Sequence, residues 1–453
     1  MSIGKLLLGC LVASLSAGTA HAQTQAPPEK AKLAQELLSK VSAQRLEKDV
    51  RTLAGFGTRH PLSETDSETR GTGAARRYLK AQLEAAAERS KGRMTVTEEP
   101  FTLENRRLGG EATFVNIIAH IEGRDDSRGV WVFGGHYDSR NSNGADGKGD
   151  APGADDDASG TAVIVEMARV LAEWQPEADI YLCAFDGEEV GLLGSDHLAA
   201  RLEEKGIVVE GMVTNDIVGS STGPDGTKHE NTLRVFSEGF AEGADTGRSF
   251  RNYAAETEGA SRQLARYAAL LADRYQDDFS VKLIYRSDRF GRGGDHLSFT
   301  QRGYPGVRFT EAAENYDHQH QDVRVEDGVQ YGDLPEYCDF DYIARVARLN
   351  VAVAVNGAGA PSAPDGVRTQ GAVRHDTAVG WRAVDGDHVA GYRVWRRPTD
   401  ASHWTESVFV PKGETQHLLE WISIDDWQFA VSTVGTNGLE SPPAFPALSR
   451  RRR

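Results

Sequence analysis

Cysteine is scarce: the 453 residues contain three, at positions 10, 183 and 338. So few cysteines exclude a disulfide framework. A single bridge between Cys183 and Cys338 stays open, although Cys183 sits in the apolar run 180–185 and reads as a core residue. Positive charge is also in deficit, with 51 Lys and Arg against 67 Asp and Glu, a formal net charge of −16. A nucleic-acid phosphate backbone is therefore not an expected partner. The basic run 450–453 is short and terminal and reads as a solvated tail. Long hydrophobic runs are missing too. The apolar stretch 6–15 is too short to cross a bilayer and leads into polar, proline-containing sequence.

What is present is a soluble, globular composition in a chain long enough for two or three domains. Lys5, the apolar stretch after it and Ala20-His21-Ala22 have the form of a secretory signal cleaved near Ala22. The expectation is an exported protein, periplasmic or secreted. A lipoprotein signal ending at Cys10 would leave almost no apolar region before the cysteine. From residue 23 to 355, helical periodicity and continuous apolar strands alternate, with strands expected at 129–135, 179–185, 207–213 and 306–309. That pattern predicts an α/β domain, a mostly parallel central sheet flanked by helices. Residues 356–364, rich in Gly, Ala and Pro, read as a linker. Short alternating runs over 365–446 predict a small all-β sandwich, and 447–453 a basic tail.

Functional groups on parallel sheets gather at the carboxyl ends of the strands. His136-Tyr137-Asp138, Glu188-Glu189 and Asp216 each follow a strand, and Asp155-Asp156-Asp157 precedes a helix. Taken singly, each is ordinary: Asp is a common helix cap, and glutamates are common on surfaces. Together, so many carboxylates at one edge would repel strongly, and a pair of divalent cations removes that repulsion. Carboxylates plus histidine, without thiolate, suit a catalytic zinc centre in which one carboxylate bridges two ions. Of two adjacent glutamates, one can ligate while its neighbour stays free as a base. Asp138 is placed to orient the His136 imidazole.

Three blocks carry a resemblance: Gly134-Gly135-His136-Tyr137-Asp138-Ser139, Pro152-Gly153-Ala154-Asp155-Asp156-Asp157-Ala158-Ser159-Gly160, and Glu188-Glu189-Val190-Gly191-Leu192-Leu193-Gly194-Ser195. In order and spacing they resemble the co-catalytic zinc peptidases, the family of bacterial leucyl aminopeptidase, aminopeptidase Y and glutamate carboxypeptidase II. The resemblance implies two zinc ions and peptide or protein substrates. It makes His136 and Asp216 ligands of one zinc, Asp156 the bridge, Glu189 a ligand of the second zinc and Glu188 the general base. The last ligand is a histidine near 320, where His318 and His320 both occur; distance from Glu311 favours His320. The implied activity is an aminopeptidase using a water shared by the two ions, with Glu188 taking its proton.

Other readings remain. A carboxypeptidase would share the metal site and need a basic cluster for a substrate carboxylate, which Arg286, Arg289, Arg292 and Arg308 could supply. A non-catalytic binding protein on the same scaffold would be expected to lose ligands. A mononuclear glutaminyl cyclase would depart among the ligand blocks, and a calcium loop over 141–157 lacks regular spacing. Ser195 lacks the G-x-S-x-G setting of a nucleophile. The block 294–299, Gly-Asp-His-Leu-Ser-Phe, reads as structural support. The C-terminal segment resembles a fibronectin type III domain and reads as a spacer or attachment module, its tryptophans as core rather than surface platforms.

Overall fold

The computed structural model describes residues 26–240 and 255–446. The expected signal segment 1–22 and basic tail 447–453 lie outside the described residues. The strands of the main sheet are β1 (Met94–Asn105), β2 (Gly110–Ile121), β3 (Val130–His136), β4 (Asp179–Phe185), β5 (Val209–Asn215), β6 (Thr232–Phe236), β7 (Ser280–Ile284) and β8 (Gly306–Glu311). Their order is β1-β2-β4-β3-β5-β8-β6-β7. The central pairs β4–β3, β3–β5 and β5–β8 are parallel, as is β6–β7 at one edge. The pairs β1–β2, β2–β4 and β8–β6 are antiparallel. The mostly parallel sheet is thus a parallel centre with antiparallel joins on either side.

Every residue of β3 is buried, which is why its sequence reads as a continuous apolar run. Alternate side chains serve opposite faces. Trp131 and Phe133 join the larger core, with the helices Gly160–Leu171 and Phe340–Gly359. Val130 and Val132 join a second core with Leu198, Leu202 and Phe299 from the other side. The chain runs from β3 to β4 on one side and later to β5 on the other. Strand order reverses beside β3, and in open α/β sheets a crevice forms at such a point. His136 is the last residue of β3.

One boundary and one edge of the sheet differ from the sequence reading. The last helix runs Phe340–Gly359, with Asp339 capping its start by accepting from the Asp341 and Tyr342 amides. Residues 356–359, expected as linker, therefore form its final turn. The reason is packing: a Cβ on Gly357 would stand 2.5 Å from the Trp131 ring and one on Gly359 2.7 Å from Trp174. These glycines permit close approach rather than flexibility. Gly357→Ala is expected to destabilise the protein by about 1–3 kcal/mol through overpacking. An unchanged melting temperature would show that the Trp131 ring can move aside. Strands β6 and β7 were not anticipated, being five residues each and carrying Arg234 and Lys282.

The C-terminal residues form two three-stranded antiparallel sheets: Arg368–Gln370, Thr377–Gly380 and Gln416–Leu419 in one; Val389–Pro398, Glu406–Pro411 and Trp427–Gly435 in the other. Val379, Trp381, Tyr392, Val394, Phe429 and Val431 fill the space between them. Trp404 is buried, as expected of a core residue, but Trp421 is 79% exposed. The module is docked rather than loosely tethered. Arg266 donates to the Ser402 carbonyl, Tyr267 to the Glu440 carbonyl and Arg274 to the Glu440 carboxylate. These bonds arise from the helix Ala260–Tyr275 of the main domain, so a simple spacer is not what the contacts describe.

Candidate metal centre

The carboxyl ends of the central strands bring six side chains together. His136 ends β3, Glu188 and Glu189 follow β4, and Asp216 follows β5. Asp156 precedes the helix Gly160–Leu171, and His320 lies on the loop beyond β8. Their ligand atoms form two groups, His136–Glu188–Asp216 and Asp156–Glu189–His320, each within 4.8 Å. Asp156 stands between the histidines: Oδ1 is 3.1 Å from His136 Nε2 and Oδ2 is 2.8 Å from His320 Nε2. Glu189 Oε1 is 2.9 Å from His320 Nε2, and Asp216 Oδ1 is 3.8 Å from His136 Nε2.

These atoms are close but do not satisfy one another. His136 Nε2, Glu189 Oε1 and His320 Nε2 are buried without a hydrogen-bond partner. Leaving buried polar atoms unpaired costs about 1–3 kcal/mol each, and here all three converge on the same acidic cleft. Nitrogen and carboxylate oxygen donors in two adjoining sets are the donor chemistry of zinc. The residues therefore fit a pair of zinc ions.

Surrounding groups hold the ligands in place. His136 Nδ1 lies 3.1 Å from the Asp138 carbonyl and 3.4 Å from its carboxylate. The same carboxylate accepts from the amides of Glu188 at 3.1 Å and Glu189 at 3.2 Å, so Asp138 clamps the glutamate pair as well as facing the imidazole. The outer members of the aspartate triple have separate tasks. Asp157 accepts from the His136 and Gly160 amides, and Asp155 from the Gly219 amide. Asp333, overlooked in the sequence, accepts from the Asp155 and Asp156 amides at 2.8 Å each. Nothing in its local sequence marks it, because it reaches the site from a loop 177 residues beyond Asp156.

Burial pushes the Asp216 carboxyl up, but Arg308 and His136 outweigh it and bring it down to about 2. Burial pushes the Glu188 carboxyl well above the usual carboxylate range; Asp216 and Glu189 act with it, and His136 against. Two neighbouring acids are thus driven in opposite directions by burial and by the charges around them.

Of the two candidate histidines, His320 reaches the centre. His318 stacks on Tyr337 with ring centroids 3.6 Å apart and belongs to neither ligand group. Three of the four arginines weighed as a substrate-carboxylate cluster are paired with protein carboxylates. Arg308 bonds Asp216 and the Gly293 carbonyl, Arg289 pairs with Asp288 and Glu314, and Arg292 with Glu314. Arg286 lies over the exposed Phe290 ring. His296 is buried against the Ser287 carbonyl, as structural support requires. In the 141–157 loop, Asp146 accepts from Asn141, Lys148 and Gly149 and Asp150 pairs with Arg70, so these acids form no cation cage. Cys183 and Cys338 are unbridged. Arg140, which contacts both Glu189 and His320, was not singled out in the sequence; its place two residues after Asp138 was the available signal.

Known proteins resemble the chain in both sequence and fold. The sequence profile of peptidase family M28 matches residues 116–327. A probable zinc metalloprotease of Pyrenophora teres f. teres is 41% identical over 416 residues, covering 90% of this chain and 86% of that one. Among solved structures, LapB from Legionella pneumophila superposes with a TM-score of 0.54 at 20% identity, covering 72% of this chain and 75% of its own. The Legionella pneumophila LapA aminopeptidase gives 0.50 at 20% identity, over 71% and 73%. A glutaminyl cyclase of Macrostomum lignano gives 0.50 at 16% identity, over 73% and 95%. At these identities the structural likeness speaks for the fold alone, whereas the sequence match extends through nearly the whole chain. By that match, together with the ligand blocks at the ends of β3, β4 and β5, the chain belongs to peptidase family M28.

Proposed function

We propose that the protein is an exported two-zinc aminopeptidase that removes N-terminal residues from peptides. The observation that carries this reading is Asp156, whose two oxygens face two histidines with unpartnered Nε2 atoms. His136 and Asp216 would hold one zinc, Glu189 and His320 the other, and Asp156 one with each oxygen. When bound, two such ions supply Lewis acidity to a carbonyl oxygen and acidify water. The protein's own part centres on Glu188. Its amide is fixed on Asp138, which aims the side chain at the cleft beside His136 and Asp216. Its carboxylate accepts a proton from the attacking water and passes it to the nitrogen of the leaving amine, as general base and then general acid. Asp138 keeps the His136 ring turned so that Nε2 faces inward.

An aminopeptidase is favoured over a carboxypeptidase because the nearby arginines are paired with protein carboxylates. Ligands for both half-sites favour it over a single-zinc cyclase. The C-terminal sandwich, read as fibronectin type III-like, takes no part in catalysis in this account. The test is metal content followed by chelation and zinc reconstitution, with assays on end-blocked peptides. Two zincs per chain and release of free N-terminal residues from carboxyl-blocked peptides are expected. Release from the C-terminus of amino-blocked peptides, or protein that binds no zinc, would overturn the proposal.

A further inference from the structure

The loop that closes one side of the metal centre is held at its two ends by different parts of the molecule. It runs from Tyr285, directly after β7, to Gly294. Its far end lies at the centre. A Cβ on Gly294 would stand 3.4 Å from Asp216 Oδ2, and one on Gly293 3.7 Å from Leu192, which follows the Glu188–Glu189 pair. Between the ends, the buried Asp288 carboxylate accepts from the Arg289 amide and side chain, and Phe290 is 88% exposed.

The near end is tied to the C-terminal module. Arg266 Nη2 donates to the Tyr285 hydroxyl at 3.0 Å, and the Arg262 guanidinium lies 3.6 Å from the centroid of the Tyr285 ring. Every N–H of Arg266 is engaged. Nε goes to the Ser402 carbonyl, Nη1 to the Thr257 carbonyl and Glu258, and Nη2 to Glu258 and Tyr285. From the other side Glu258 accepts from Arg397 of the module, which is itself buried. His403 Nε2 lies 3.2 Å from the Val281 carbonyl on β7, just before the loop begins. A buried guanidinium with all its donors paired has one low-cost position, and the module completes the pairing.

We propose that the C-terminal module positions the 285–294 loop as a wall of the substrate cleft, through contacts running from Arg397 to Glu258, Arg266 and Tyr285. The module supplies no reacting group. Arg308, which holds Asp216 from β8, lies outside this set. When the set is broken the metal ligands therefore stay in place, and what loosens is the surface against which a substrate lies. This rests on the aminopeptidase reading above. It adds a determinant of substrate binding that comes from outside the main domain.

The test is steady-state kinetics of the full chain on a carboxyl-blocked peptide, with zinc content and melting temperature measured alongside. Arg397 is buried in the module and touches no substrate, and in Arg397→Gln the Glu258 carboxylate keeps Arg266 and Gln263. KM is expected to rise by about threefold or more, with kcat and zinc content within about twofold of wild type. Tyr285→Phe removes only the hydroxyl that Arg266 holds and should raise KM by a similar factor; it carries the test if Arg397→Gln does not fold. Both act through Arg266, so the double variant should exceed the worse single one by less than about twofold. An unchanged KM in a folded variant, a fall in kcat alone, or two effects that multiply independently overturns the positioning role, even where the melting temperature drops. Wild-type protein that releases no N-terminal residue overturns the aminopeptidase reading instead.

Discussion

If the proposed two-zinc reading holds, Glu188→Gln is expected to keep the wild-type zinc content and to lower kcat by about 10²- to 10⁴-fold, the usual contribution of a positioned acid–base group. The replacement is nearly isosteric, and the bond that places residue 188 runs from its main-chain amide to Asp138, so it survives the change. What is lost is a side chain able to accept a proton. The proposed ligand set of His136, Asp156, Asp216, Glu189 and His320 is untouched, so metal content by atomic absorption should match the wild type. KM should move little, because Glu188 is asked to act on a proton rather than to bind substrate. A variant that keeps most of its turnover would assign the proton transfer to another group. One that loses its metal would make Glu188 a ligand, as its position beside His136 and Asp216 permits.

The second large effect concerns stability. Glu440 is buried, and its carboxylate accepts from Arg274 at 2.8 Å, Arg393 at 3.2 Å, Trp395 Nε1 at 2.9 Å and the Ser432 hydroxyl. Its main chain bonds Tyr267 and Asn356, so one residue ties the C-terminal module to two helices of the main domain. Glu440→Ala strands two arginines that are themselves almost fully buried. Removing one partner of such a buried set costs about 3–5 kcal/mol, read as a clear drop in melting temperature.

The pH dependence has a definite sign. Burial raises the Glu440 carboxyl, but Arg274 and Arg393 prevail and hold it below its ordinary value. A folded-state pKa below the unfolded one contributes stability above the unfolded value, about 4.3, which is lost as pH falls through the folded value. The gap in melting temperature between wild type and Glu440→Gln should therefore be full near neutrality and shrink in acid. A gap that widened on acidification would mean that the arginines are not what stabilises the carboxylate.

Much of the centre is legible in the amino-acid sequence. His136, Asp156 and the glutamate pair lie in compact blocks next to strands whose apolar runs are unmistakable, because a strand buried on both faces has no room for polar residues. Asp138 was legible for the same reason, being two residues from the histidine it orients. Asp333, Arg140 and Arg308 were not singled out as ligand partners. Asp333 and Arg308 reach the centre from distant parts of the chain with no local mark, whereas Arg140 had only its place beside Asp138 to signal it. The glycines at 357 and 359 misled in the opposite direction: composition describes what a residue permits, and only the facing Trp131 and Trp174 show that it was used for contact.

The sequence by itself determined the α/β class, the parallel strands at the centre, the separate β module and the identity of most candidate ligands. Periodicity and short-range spacing are local properties, and they survive in one dimension. Only the tertiary structure decided between His318 and His320, paired the arginines with carboxylates, turned a supposed linker into the end of a helix and docked the C-terminal module through Glu440. Each of those outcomes depends on which distant groups meet in a buried setting. There an unmatched charge or polar atom is costly, so partners far apart in the chain must be brought together.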